Sequence, residues 1–239
     1  MTAPVAVARN PSWSAAEILA EVRARPDIPT RWAPRHLELG CGKHGCVYET
    51  GDPDVVLKIT DDDTEGEVAT HLGEIVEPVC VRYLLVLESG IVHGNRRILL
   101  LWRERATMVG EILQVIEEAG ERLPPRGAGR HPLPPPRERA ESFVDLLLEA
   151  GQTAFWAASQ AHATALQVAA DDYLRACRKM AAQKTSPELA MLGAGMADVY
   201  ARHGVIFGDV HAGNLGLVQR IDGPRWVITD PGHVVMIQS

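Results

Sequence analysis

The chain has 239 residues, 46% of them hydrophobic, and a net charge of −7. That is enough apolar material for a sizeable core, in one large domain or in two lobes. The negative balance excludes the bulk positive field that nonspecific nucleic-acid binding requires. Met1 to Pro11 lacks the apolar core of a secretory signal, and Cys41, Cys46, Cys80 and Cys177 form no paired framework. A reduced, cytoplasmic protein with no membrane or nucleic-acid partner is therefore expected. Cys41 and Cys46 share a glycine-rich turn, but with no second Cys/His pair they make a poor zinc site.

The first predicted element is a helix. Ser14-Ala-Ala-Glu17 reads as a capping box, Ile18, Leu19 and Val22 form one apolar face, and Pro26 ends the pattern. His36 to Leu39 reads as a strand, Gly40 to Gly45 as a loop, Cys46 to Thr50 as a second strand and Val55 to Thr60 as a third, with Gly51-Asp52-Pro53 as a turn. The loop matches G-x-G-x-x-G-x-V at Gly40, Gly42, Gly45 and Val47. A turn centred near Asp52 sets Lys58 opposite the start of the second strand, under the glycine loop. Period-two alternation puts Val56 and Lys58 on one face. An ammonium in the middle of an apolar strand needs an anionic partner.

Asp61-Asp62-Asp63-Thr64 caps a helix over about 65–74 that buries Val68 and Leu72. Glu67 is the predicted partner of Lys58, with Glu65 the close alternative. Strands follow at Val81 to Glu88 and Ile98 to Trp102, around a Gly94-Asn95 turn. The segment 103–106 reads as a hinge. Beyond it the pattern becomes helical: Met108 to Ala119, Glu141 to Ala150, Thr153 to Lys184, and a helix starting at Ser186-Pro187-Glu188 with Leu189, Leu192, Met196, Val199 and Tyr200 inside and Gly204 as its breaker. Residues 122–139, rich in proline and arginine, read as an extended loop. Trp156 and His162 read as core residues. The alanine-rich helices suit internal packing or a homodimer surface.

The last stretch carries the chemistry. Asp209, Asn214 and Asp230 lie among residues that otherwise read as strand and tight loop. Leu215 to Val218 and Trp226 to Thr229 form a hairpin around Asp222-Gly223, which returns Asp230 to the side of Asn214. An amide oxygen and a carboxylate at a strand mouth suit a magnesium ion that carries phosphate oxygens.

The ordered set Gly40-x-Gly42-x-x-Gly45-x-Val47, Lys58, Glu67, Asp209-Val-His211-Ala-Gly-Asn214 and Asp230-Pro-Gly232 resembles the protein-kinase-like superfamily. His211, two residues after the aspartate, makes the loop more similar to the aminoglycoside and choline phosphotransferase branch than to typical protein kinases. The resemblance implies an α+β, bilobal fold: residues 1–35 as a helical extension, 36–102 as a five-stranded antiparallel lobe with one main helix, and 107–239 as a mostly helical lobe with a metal-binding hairpin and a catalytic loop over 207–232. It implies ATP and Mg2+ as cofactors. Gly40, Gly42, Gly45, Val47 and Val56 would surround the nucleotide. Lys58, held by Glu67, would neutralise its phosphates, Asn214 and Asp230 would hold the metal, and Asp209 would orient or deprotonate the attacking hydroxyl.

Three departures qualify that pattern. Phe207 stands where the family has histidine, and Pro231 stands where it has phenylalanine. The chain stops at Ser239, without the usual peptide-docking platform. The expected activity is transfer of a γ-phosphate to a hydroxyl of a protein or a small molecule. A nucleotide-binding scaffold with vestigial activity and a nucleotidyl transferase are the alternatives.

Overall fold

The computed structural model describes residues 14–107, 143–182, 187–210, 212–231 and 233–237. The expected helix at 108–119, the loop at 122–139, and Ser186, His211 and Gly232 lie outside them. The fold is α+β and divides into two compact units. One comprises the described residues up to Gly73 together with Val81–Arg105. The other comprises Glu74–Cys80 and the described residues from Ala106 onward.

The first unit is built on five antiparallel strands: β1 (Pro34–Cys41), β2 (Gly45–Thr50), β3 (Val55–Thr60), β4 (Tyr83–His93) and β5 (Arg96–Glu104), in the order β1-β2-β3-β5-β4. Opposed residues project from the same face, so the register separates the residues of β3 and β5 into two sets. Leu57, Ile59, Leu100 and Trp102 face a core that also holds Ile18, Leu19 and Val22 of helix α1 (Ala15–Ala24). Each of those helix side chains contributes about 1.5–3 kcal/mol by leaving water. Helix α1 thus packs into the same core as the strands. The predicted Ser14 capping box is absent: Ser14 occupies the N-cap position but makes no side-chain cap bond. Trp102, fully buried, donates its indole N–H to the Trp32 carbonyl at 2.9 Å.

The opposite face carries Val47, Val56, Lys58, Leu101 and Arg103. It is covered in part by the first turns of the segment after β3, predicted as one helix. The structure divides that segment into α2 (Asp63–Glu67), a π-helical stretch (Val68–Leu72) and α3 (Gly73–Val76). Of the three aspartates expected to form a solvated cap, Asp62 alone caps, accepting from the Thr64 and Glu65 amides. Asp61 instead lies 3.0 Å from His44 Nδ1 at the tip of the glycine hairpin.

In the second unit, helices α4 (Phe143–Ser159), α5 (Ala163–Ala181) and α6 (Pro187–His203) lead to the short strand β6 (Val205–Phe207). The run predicted as one helix from Thr153 to Lys184 is broken at 160–162, where Ala161 adopts φ +52° and His162 becomes the N-cap of α5. Trp156 is 54% exposed and His162 is also exposed, so the core assignment of both is corrected. Gly193 of α6 is required by packing: a Cβ there would lie 2.7 Å from the Ala181 nitrogen and 2.9 Å from the Cys177 carbonyl oxygen on α5.

The hairpin of β7 (Leu215–Arg220) and β8 (Gly223–Ile228) forms where the Asp222-Gly223 signal places it, with Gly223 at φ +115°. Strand β9 (Val234–Met236) returns antiparallel to β6. Arg220 donates to the carbonyls of Glu77 and Cys80 at 3.0 and 2.9 Å, which anchors the 74–80 segment to this unit. Among the described residues no helix is long and apolar enough to cross a membrane.

Candidate functional site

The predicted site residues fall into two groups, one in each unit. The first group starts at the β1–β2 hairpin, where Lys43 and His44 form the tip and the Gly42 amide donates to the Gly45 carbonyl at 2.8 Å. Its three glycines have different reasons for being there. A Cβ on Gly45 would fall 2.4 Å from the Ile59 carbonyl oxygen, so the approach of β2 to β3 requires glycine there. At Gly40 a Cβ would meet nothing within 4 Å, and at Gly42 only the Gly45 carbonyl oxygen at 4.0 Å. At those two positions the direction a side chain would take is therefore open. The tip is held from below: the Thr60 hydroxyl and the Asp61 amide both donate to the His44 carbonyl, at 3.0 and 2.8 Å.

A disulfide joins Cys41 to Cys46 across this hairpin. The expectation of four reduced, unpaired cysteines is therefore corrected for this pair. The cross-strand register, in which Cys41 and Cys46 are directly opposed, brings together two sulfurs that sequence spacing alone did not pair. Glu38 Oε, Cys41 Sγ and Cys46 Sγ lie within 4.8 Å of one another. The disulfide takes up both sulfurs, whereas a metal needs thiolates.

Cys80 and Cys177 are free and buried. Burial pushes the Cys177 thiol up to about 12 and the Cys80 thiol up as well. Native protein should accordingly take up no iodoacetamide near neutral pH until a dithiol has reduced it, after which Cys41, the more exposed of the bridged pair, should label first. Labelling of Cys41 or Cys46 without reduction, followed by mass spectrometry, would remove the disulfide.

Lys58 lies opposite Val47 on β2 and Leu101 on β5, and its side chain is 7% exposed. The register expected from the Asp52 turn is the one observed. Its carboxylate partner is Glu65, at 2.6 Å, and not Glu67. Glu67 is an exposed residue that pairs with His71 one turn along. The reason is helical phase. The helix begins at Asp63, two residues earlier than predicted, so Glu65 is the residue turned to the sheet. Gly66, the next residue, faces the Leu99 side chain: a Cβ there would lie 2.2 Å from Leu99 Cδ1. Arg103, expected in the 103–106 hinge but lying on β5, donates to the second oxygen of Glu65 at 3.2 Å. The strand was expected to end at Trp102. Its continuation to Glu104, in phase with Leu101, is what turns Arg103 to this face.

The second group surrounds the loop after β6. Asn214 closes a 3-10 turn (Ala212–Asn214), and its side-chain nitrogen donates to both the Asp209 carbonyl and Asp209 Oδ2, at 3.0 and 3.2 Å. The Thr229 amide donates to the Asn214 carbonyl at 2.8 Å, so the hairpin delivers Asp230 beside Asn214. An amide oxygen and a carboxylate are hard donors of the kind Mg2+ takes, and this donor set fits that ion.

Phe207 is 1% exposed, so apolar packing fills the position where the resemblance implied a histidine. On the α4 side, a Cβ on Gly151 would lie 2.4 Å from Gly208 Cα and 2.6 Å from the Phe207 carbonyl oxygen. Ordinarily Gly→Ala inside a helix gains up to about 1 kcal/mol. Here the clash is with backbone on the facing element, and overpacking of this kind costs about 1–3 kcal/mol. Gly151→Ala is expected to destabilise the protein in urea unfolding; a variant as stable as the parent would mean that this contact is loose.

No protein-family model matches the chain, and no curated protein matches it.

Proposed function

We propose that the protein is an ATP- and Mg2+-dependent phosphotransferase with the protein-kinase-like fold, acting on a hydroxyl of a protein or small-molecule acceptor. The observation that carries the reading is the buried Lys58–Glu65 pair, on the same sheet face as Val47 and Val56 and directly behind a glycine hairpin. A buried ammonium and carboxylate are expensive to maintain as mere packing. A lysine fixed beside a glycine loop matches what phosphate neutralisation requires.

The roles divide by unit. In the first, Lys58 neutralises phosphate oxygens and Glu65 orients it. Because the Gly42 amide is engaged within the hairpin, the backbone donors to phosphate are assigned to the tip, Lys43 and His44. In the second, Asn214 and Asp230 hold the metal, which when bound offsets charge on the transferring group. Asp209, held by Asn214, orients or deprotonates the acceptor hydroxyl. Positioning and charge supply most of the rate.

Incubation of the protein and a cell extract with ATP labelled separately at the α and γ positions tests this reading. Label from the γ position on an acceptor supports it. Label from the α position alone would reassign the protein as a nucleotidyl transferase. Nucleotide binding without transfer of either label would make it a scaffold.

A further inference from the structure

We propose that Arg103 is a positioning residue for Lys58, acting through Glu65; the inference rests on the phosphotransferase reading and adds a residue to the same site. Lys58 and Arg103 project from one face of the sheet, because Lys58 is opposed by Leu101 and Arg103 by Val56. Glu65 takes Lys58 on Oε2 at 2.6 Å and Arg103 on Oε1 at 3.2 Å. The three side chains are 7%, 9% and 0% exposed for Lys58, Arg103 and Glu65, so these charges act at low effective dielectric, where direction and distance matter most.

The backbone of Glu65 is already fixed. Asp62 caps its amide, and the neighbouring Gly66 faces the Leu99 side chain. What remains adjustable is the side chain, and in particular the plane of the carboxylate. A bond from Arg103 to Oε1 fixes that plane and turns Oε2 to Lys58. It also divides the charge. An ammonium facing an undivided carboxylate at this distance is largely neutralised toward any third group. With Arg103 drawing on the same carboxylate, Lys58 keeps more of its attraction for an incoming phosphate. Arg103 therefore governs affinity for the polyphosphate part of the ligand and leaves affinity for the heterocycle alone. A simple tie between α2 and β5 would affect both parts equally.

The test measures Kd by calorimetry for ATP, inorganic tripolyphosphate and adenosine, on the full chain and on Arg103→Gln, Glu65→Gln and the double variant, with thermal melts alongside. Loss of a charge-assisted hydrogen bond predicts that Arg103→Gln weakens ATP and tripolyphosphate by at least about tenfold and leaves adenosine within about twofold. In the Glu65→Gln background the same substitution should add less than about twofold, because its route to Lys58 is gone. The double variant replaces charges by two amides, so this comparison stands even if Arg103→Gln alone does not fold.

Equal losses for ATP and adenosine, or a further tenfold loss in the Glu65→Gln background, would overturn the proposal. Tripolyphosphate binding that depends on Arg103, in a protein that neither binds nor turns over ATP, would retire the phosphotransferase reading and leave the role of Arg103 standing. Parent protein that binds neither ligand would overturn both.

Discussion

Glu65→Ala is expected to cost about 3–5 kcal/mol of folding stability, and Glu67→Ala no more than about 0.5 kcal/mol. The contrast follows from position. Glu65 is fully buried and shared by Lys58 and Arg103, both of which are themselves buried. Its removal takes away a buried carboxylate that both cations share. Glu67 is about two-thirds exposed and interacts with His71 across a single turn, in water that screens the pair. Urea unfolding of the two variants under identical conditions measures the difference. Comparable losses would return the lysine partner to the uncertainty the sequence left, and a larger loss for Glu67 would reverse the assignment.

Asp209→Ala is expected to lower the transfer rate by about 10²–10⁴-fold, the usual contribution of a positioned general base, with nucleotide affinity changed by less than about threefold. Asp209 accepts from the Asn214 side chain through both its carbonyl and its carboxylate, so its orientation is set before any ligand arrives. Because Asn214 supports Asp209 and is also assigned to the metal, Asn214→Leu should reduce both turnover and Mg2+ affinity, whereas Asp209→Ala should reduce turnover alone. Kinetics at varied Mg2+ separate these outcomes. Unchanged turnover in Asp209→Ala would take that residue out of the mechanism.

The residues that could be placed from sequence are those governed by short-range rules. Alternation put Val56 and Lys58 on one face, and the Gly51-Asp52-Pro53 turn set Lys58 opposite the start of the second strand, where it pairs with Val47. The Asp222-Gly223 turn brought the strand before Asp230 back to Asn214. Where the signal depended on helical phase it failed by two residues, which was enough to exchange an exposed glutamate for the buried one. Trp156 and His162 were misplaced for a related reason. An apolar stripe shows that a face can be buried, but only a neighbouring element can bury it.

Local pattern by itself determined strands β1 to β5, the β7–β8 hairpin and the chemical kinds of side chain available, because turns and alternation depend on residues a few positions apart. Tertiary structure alone decided that Gly151 is glycine because the backbone of another element presses against it, and that Arg103 shares a carboxylate with Lys58. Each of these turns on a distance of a few ångströms between segments whose spacing is set by how whole elements pack, and no local preference encodes it.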